Sequence, residues 1–287
     1  MMELTNPSVI KETLSKNGFS FKKSLGQNFL INPTVCPKMA NSAVLDGETA
    51  VLEIGPGIGV LTAELAKEAE KVVSIELDER LKPVLAETLA EYDNVEVVFG
   101  DAMKLDLGKL IEEKFGDLKV SVCANLPYYI TSPIIMNLLE SRLPFSSITV
   151  MVQKEAAERI CAKVGSRESG AVTVAVRYYS EPEVLFNVSR GSFMPAPNVD
   201  SAVIRLKVLE KPSVVVKDER LFFKMVRAAF EQRRKTFQNS VSSGLGIPKE
   251  TVKNALMAAG LDENIRAERM KMEDLAAVCD HLVDSKA

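Results

Sequence analysis

The sequence predicts a doubly wound α/β protein that ends in a helical region, and three observations carry that expectation. Short apolar runs alternate with amphipathic stretches from Thr49 to about Val208. A glycine-rich turn, Gly55-Pro56-Gly57-Ile58-Gly59, follows the first run directly, and beyond Lys207 no convincing strand remains. A length of 287 residues suits one large and one small domain. Apolar residues at 46% and charged residues at 26% exclude a disordered or fibrous chain.

Taken in order, residues 1–35 form a polar N-terminal arm without the apolar segment of a secretory signal. No stretch reaches the roughly 20 apolar residues of a membrane helix. A cytoplasmic protein that does not touch membranes is expected. The runs AVLEIG, KVVSIEL, VEVVFGDA, VSVCANL and ITVMVQK read as successive strands, with helices at 62–71 and 78–92 completing a βαβαβ unit. VTVAVRYY and SAVIRLKVL are longer and more alternating, so they are expected to pair antiparallel at the far edge of the sheet. The boundary falls near residue 209, giving domains 1–208 and 209–287. In the second, 221–241, 248–259 and 272–284 have helical spacing, with Gly244, Gly246 and Gly260 as breakers.

Cys36, Cys123, Cys161 and Cys279 are far apart and form no CxxC pair, so they read as buried thiols rather than a zinc site or disulfide framework. The single histidine, His281, belongs to the terminal helix, which excludes histidine catalysis and leaves no metal centre expected. The formal net charge of -3 does not by itself suggest a nucleic-acid binder. Two basic islands stand on that acidic background: Arg220, Lys224, Arg227, Arg233, Arg234 and Lys235 against Glu231, and Lys11, Lys16, Lys22 and Lys23 in the arm. Such islands are also ordinary solvated helix faces, and they gain meaning only beside a site that takes a polyanion.

The chemistry gathers at the strand ends. Glycines after Glu53 let the backbone turn sharply and approach a ligand, but the GxGxG spacing departs from the GxGxxG of nicotinamide enzymes. Glu76, at the end of the second strand, can accept both hydroxyl hydrogens of a ribose, and Asp101, in Gly100-Asp101-Ala102 after the third, can accept from an adenine amino group. Either carboxylate alone could be a helix cap. Three such features at successive strand ends point to an adenosine-containing ligand. The fourth strand delivers Asn125-Leu126-Pro127-Tyr128 to the same edge. An exocyclic adenine amine is a poor nucleophile, and the Asn125 side-chain oxygen with the Leu126 carbonyl can each accept one of its hydrogens as the nitrogen becomes tetrahedral. Pro127 restrains Leu126 to an extended conformation, and Tyr128 offers a face for stacking a base. An isolated tetrapeptide of this kind could simply end a strand in a turn; its place beside the cofactor half-site favours the acceptor role.

Together these residues resemble the bacterial KsgA (RsmA) family of ribosomal RNA adenine N6,N6-dimethyltransferases, over nearly the whole chain. The matching segments are Lys22-Lys23-Ser24-Leu25-Gly26-Gln27-Asn28-Phe29-Leu30, Glu53 to Gly59, Glu76, Gly100-Asp101-Ala102, Asn125 to Tyr128, and Phe193-Met194-Pro195-Ala196-Pro197-Asn198-Val199-Asp200-Ser201. The resemblance implies a Rossmann-like S-adenosylmethionine-dependent methyltransferase fold, mostly parallel with an antiparallel edge, followed by a small all-helical RNA-binding domain. Asn28, Leu30, Gly55, Gly57, Glu76, Asp101 and Asn125 would line the S-adenosylmethionine pocket beneath the N-terminal arm. Phe193 would pack near the target base and sandwich it with Tyr128, a core phenylalanine being the alternative. Lys22, Lys23, Arg233, Arg234 and Lys235 would meet RNA phosphates. Tyr129 stands where many members of the family have asparagine.

The implied substrate is a pair of adjacent adenosines in the 3'-terminal hairpin loop of 16S RNA, within an immature small ribosomal subunit, each amine receiving two methyl groups; oligomeric state is left open by the sequence, with a monomer preferred. Two other readings compete. A sister group of macrolide-resistance methylases modifies large-subunit RNA with a similar tetrad, and the chain could also be a non-catalytic assembly factor.

Overall fold

The computed structural model describes residues 3–19, 29–44, 49–232 and 234–285. In chain order its elements are α1 (Pro7–Lys16), β1 (Phe29–Leu30), α2 (Val35–Ala43), β2 (Thr49–Ile54), α3 (Val60–Glu68), β3 (Lys71–Glu76), α4 (Lys82–Thr88) and β4 (Val95–Phe99). There follow α5 (Leu107–Phe115), β5 (Lys119–Asn125), α6 (Thr131–Glu140), β6 (Phe145–Gln153), α7 (Lys154–Cys161), α8 (Ala171–Tyr179), β7 (Ser180–Val188), β8 (Phe193–Met194) and β9 (Ser201–Val208). The helices α9 (Glu219–Glu231), α10 (Phe237–Leu245), α11 (Lys249–Ala258) and α12 (Met272–Asp284) complete it. No helix among the described residues is long and apolar enough to cross a membrane.

Seven strands form one sheet in the order β4-β3-β2-β5-β6-β9-β7, and β1 with β8 forms a separate two-stranded ladder. The pairings β4–β3, β3–β2, β2–β5 and β5–β6 are parallel. β9 runs antiparallel to β6, from Ser147 opposite Lys207 to Gln153 opposite Ser201. This is the expected mostly parallel, Rossmann-like sheet with an antiparallel strand toward one edge. Every residue of β2 is buried, as required of a central strand covered on both faces. The register puts the carboxyl ends of β2, β3, β4 and β5 along one edge, with Ile54 opposite Ile75 and Glu76 opposite Phe99.

VTVAVRYY is the clearest departure from expectation. It is the helix α8, and the strand that β9 pairs with is the next segment, β7. A run rich in valine and tyrosine has strand propensity, but here Thr173, Val174, Ala175, Val176, Tyr178 and Tyr179 are all buried, and a helix embedded on nearly every side needs no polar face. The Gly170 N–H donates to Thr173 Oγ1 at 2.9 Å, and Arg177 donates to the Ala162 and Cys161 carbonyls at 2.6 and 2.8 Å. Pro182 and the glutamates Glu181 and Glu183 weaken the strand signal of 180–188; at the outer end of the strand order a proline removes no ladder hydrogen bond that is needed.

The chain divides into two compact units, Met1–Ala157 with Glu183–Val208, and Glu158–Pro182 with Leu209–Ala287. The second unit thus takes in α8, whose Tyr178 and Tyr179 rings meet Phe222 and Phe223 of α9 at centroid distances of 5.1 to 5.5 Å. Their hydroxyls donate to Glu219 at 3.1 and 2.8 Å, so the aromatic cluster buries its polar tips satisfied. The helix expected at 221–241 is two helices, α9 and α10, and Gly244 lies inside the second rather than breaking it. Gly246 and Gly260, with φ of 65° and 73°, do end α10 and α11. Three of the cysteines are buried and Cys161 is partly exposed.

Candidate active site

The turn after β2 places Gly55, Gly57 and Gly59 at φ of 74°, 60° and 90°, a backbone region that residues with a Cβ avoid. At Gly59 a side chain would also press on Leu89, whose Cδ2 lies 3.0 Å from the Cβ position. Glu53, at the end of β2, is fully buried. Its Oε2 accepts from Thr62 Oγ at 2.7 Å and Ser74 Oγ at 2.6 Å, tying the first turn of α3 to β3 beneath the glycines. Oε1 is buried with no partner among the described residues. Burial pushes this carboxyl up to about 7, against the two hydroxyl donors. The same burial, reinforced by Glu53, pushes the Cys36 and Cys123 thiols up, which makes both inert.

Glu76, two residues along β3 from Ser74, has its carboxylate held by two backbone donors: Gly57 N–H to Oε2 at 3.2 Å and Asp78 N–H to Oε1 at 2.8 Å. Burial pushes its carboxyl above the ordinary value and the N–H donors pull it back. The carboxylate is oriented before any ligand arrives, with lone pairs left for hydroxyl donors. Asp101 follows β4; its Oδ1 accepts from Met103 N–H at 3.0 Å and its Oδ2 lies 3.4 Å from Lys104 Nζ.

Asn125 is the last residue of β5, and the chain turns there into α6: Ile130 N–H and Thr131 Oγ both donate to the Pro127 carbonyl, at 3.1 and 3.3 Å. Tyr128 Oη lies 2.7 Å from Ser201 Oγ at the start of β9, which fixes the ring, and burial raises its phenol above the ordinary value, so the group stays protonated. Neither feature supplies a strong base, and none is needed for an amine whose hydrogens are accepted by neutral oxygens.

One cavity collects these residues. It is lined by Leu30, Gly55, Gly57, Glu76, Asp101, Asn125, Leu126, Pro127, Tyr128 and Phe193. Phe193 is buried and belongs to the same core cluster as Leu30, its direct partner in the β1–β8 ladder, so it reaches the cavity from a packed position. Asn28, Lys22, Lys23 and Arg233 lie outside the described residues. Arg234 and Lys235 are exposed in the link between α9 and α10, in the second unit.

The sequence reading did not single out Leu77 or Met103, and it noted Tyr129 only for standing in place of asparagine; all three stand exposed on the cavity rim. Their signal was adjacency, since each follows Glu76, Asp101 or Tyr128 by one or two residues at a strand end. The lining fits an adenosine-bearing methyl donor: a prepared carboxylate for ribose, a short acid for an amino group, apolar side chains at Leu77 and Met103 for a flat ring, and a glycine cradle for close backbone approach.

Comparison with known proteins agrees with that chemistry. A Geobacillus thermodenitrificans protein named ribosomal RNA small subunit methyltransferase A is 48% identical over 285 residues, covering 98% of this chain and 97% of its own. The protein of the same name from Bacillus pumilus is 48% identical over 278 residues, covering 96% of this chain and 95% of its own. Among solved structures, a dimethyladenosine transferase from Plasmodium falciparum superposes with a TM-score of 0.69 at 27% identity, covering 87% of this chain and 95% of that one. The 23S rRNA methyltransferase ErmE gives 0.67 at 29%, covering 89% and 100%. The family model described as ribosomal RNA adenine dimethylase matches residues 18–284, and the chain, with Asn125 to Tyr128, Glu76 and Asp101 on one cavity, belongs to that family.

Proposed function

We propose that this protein transfers methyl groups from S-adenosylmethionine to the N6 amines of two adjacent adenosines in the 3'-terminal hairpin loop of 16S RNA, in the cytoplasm, on an immature small ribosomal subunit. The observation that carries the reading is the Asn125-Leu126-Pro127-Tyr128 turn opening onto the cavity that also holds Glu76, Asp101 and the glycine turn. S-adenosylmethionine supplies an electrophilic methyl group. Glu76 binds the ribose, Asp101 the adenine amino group, and Leu30, Gly55 and Gly57 the remainder, with Asn28 contributing from the arm. Asn125 Oδ1 and the Leu126 carbonyl accept the hydrogens of the target amine, while Tyr128 and Phe193 hold the base. Dimethylation requires the site to accept the monomethyl amine as well, which leaves one hydrogen for two acceptors.

The enzyme acts as a monomer in this reading. Residues 209–287 bind RNA backbone through cations: Arg220, Lys224 and Arg227 stand exposed at helical spacing along α9, Arg234 and Lys235 are exposed beyond it, and Arg233 precedes them in sequence. Lys22 and Lys23 add charge from the arm. The likeness to ErmE makes large-subunit RNA the alternative substrate. Mass spectrometry of 16S adenosines from cells with and without this gene tests the proposal: dimethyladenosine at the hairpin should vanish with the gene and return with it. Its persistence, or incorporation of label from methyl-labelled cofactor into large subunits only, would reject it.

A further inference from the structure

Three of the large apolar side chains that stand exposed, Leu77, Met103 and Tyr129, sit on the rim of the cavity just described. They divide by position. Leu77 and Met103 adjoin Glu76 and Asp101, on the side proposed for the methyl donor. Tyr129 adjoins Tyr128 on the acceptor side and is 63% exposed, whereas Tyr128 is half-buried with its hydroxyl on Ser201.

We infer that Tyr129 is a stacking platform for the nucleotide flanking the target adenosine, and that it helps set which adenosine of an adjacent pair enters the site. The inference rests on the RNA reading above. The turn that carries Tyr129 is pinned on both sides, by Tyr128 on Ser201 before it and by the two donors to the Pro127 carbonyl after it. The ring is therefore presented from a fixed backbone rather than a loose loop. A base drawn out of its stack into the cavity carries its neighbour to the cavity mouth, because consecutive nucleotides share a backbone. An apolar ring left in water there gains by being covered, and the neighbouring base has lost a stacking partner. Aromatic stacking accepts any base but differs in strength from base to base, and on a given side the two adjacent adenosines have different neighbours, so the ring weights which of the two is held inside. Tyr129 is thus a positioning residue that acts on the RNA and not on the methyl donor.

The test uses the full-length protein, small subunits purified from cells lacking this gene, and Tyr129→Ala beside Tyr129→Phe. Tyr129→Ala should raise KM for the subunits by roughly 5- to 150-fold, the equivalent of one base stacked on an aromatic ring. It should also skew the ratio of dimethylation between the two adenosines, read by mass spectrometry of the hairpin fragment. Affinity for S-adenosylhomocysteine, measured by calorimetry, should be unchanged, and Tyr129→Phe should behave as wild type. An unaltered KM and ratio would overturn the inference, as would a parallel loss of S-adenosylhomocysteine affinity or a Phe variant as impaired as Ala. If wild-type protein labels large subunits instead, the proposed substrate fails, and the same comparison on that RNA still decides the role of Tyr129.

Discussion

At Glu53 burial and hydrogen bonding pull the carboxyl in opposite directions, and burial wins. With a folded value pushed up to about 7, the group is protonated in the native protein at pH values where the unfolded chain has already released its proton. Stability from this site is therefore greatest at low pH, falls as pH rises from the unfolded value toward about 7, and is flat above that. The loss is on the order of 3 kcal/mol. Glu53→Gln should flatten the dependence of the urea midpoint on pH between 5 and about 7, whatever its effect on absolute stability. An unchanged slope would show that Glu53 ionises normally. Asn125 is a different case, because its contribution is expected only in the transition state. Asn125→Ala should lower kcat by about 100- to 1000-fold while leaving RNA affinity near normal. Near-normal turnover would remove Asn125 from the proposed role. Glu76, Asp101 and Asn125 were legible in the sequence because each ends an apolar run; Tyr129 was legible only as a departure from asparagine, and its exposure beside a half-buried twin was not, because the twin's hydroxyl is held by Ser201, 73 residues away.

Among the elements, α8 and α10 show how packing overrides local signals. The valines of α8 favour a strand in isolation, yet they are buried on nearly all sides against partners such as α9. In α10, Gly244 permits contact with α9: a Cβ there would lie 2.5 Å from Ala228 Cβ and 3.2 Å from its Cα. Replacing a helical glycine by alanine ordinarily gains about 0.5–1 kcal/mol. Here the clash dominates, and Gly244→Ala should destabilise the protein by roughly 1–3 kcal/mol as the helices are forced apart. Denaturant unfolding measures it; a stabilised variant would mean that the two helices separate at no cost.

For the molecule as a whole, the formal net charge of -3 hides a division of labour. The strand-end carboxylates Glu53, Glu76 and Asp101 sit in the first unit, while Arg220, Lys224, Arg227, Arg234 and Lys235 lie exposed in the second. Only the local field acts on a phosphate within about 10 Å at ordinary ionic strength. Neutralising Arg233, Arg234 and Lys235 together should weaken RNA binding and reduce the slope of log affinity against log salt by up to about 3. Cofactor affinity should be unchanged. An unaltered salt slope would place the phosphate contacts elsewhere.

By itself the sequence determined the α/β order, the place of the glycine turn, and the carboxylates and tetrad that end the parallel strands. All are local: a strand's buried period, a glycine's conformational freedom and a proline's restraint act within a few residues. Only the tertiary structure decided that 171–179 is a helix, that 180–188 supplies the edge strand, and that 158–182 clusters with the helical unit. It also decided that Glu53 turns inward to Thr62 and Ser74 while Glu76 lines the cavity. Those outcomes depend on which surfaces bury one another across long separations, and burial sets both the conformation of an ambiguous apolar run and the ionisation of a carboxylate.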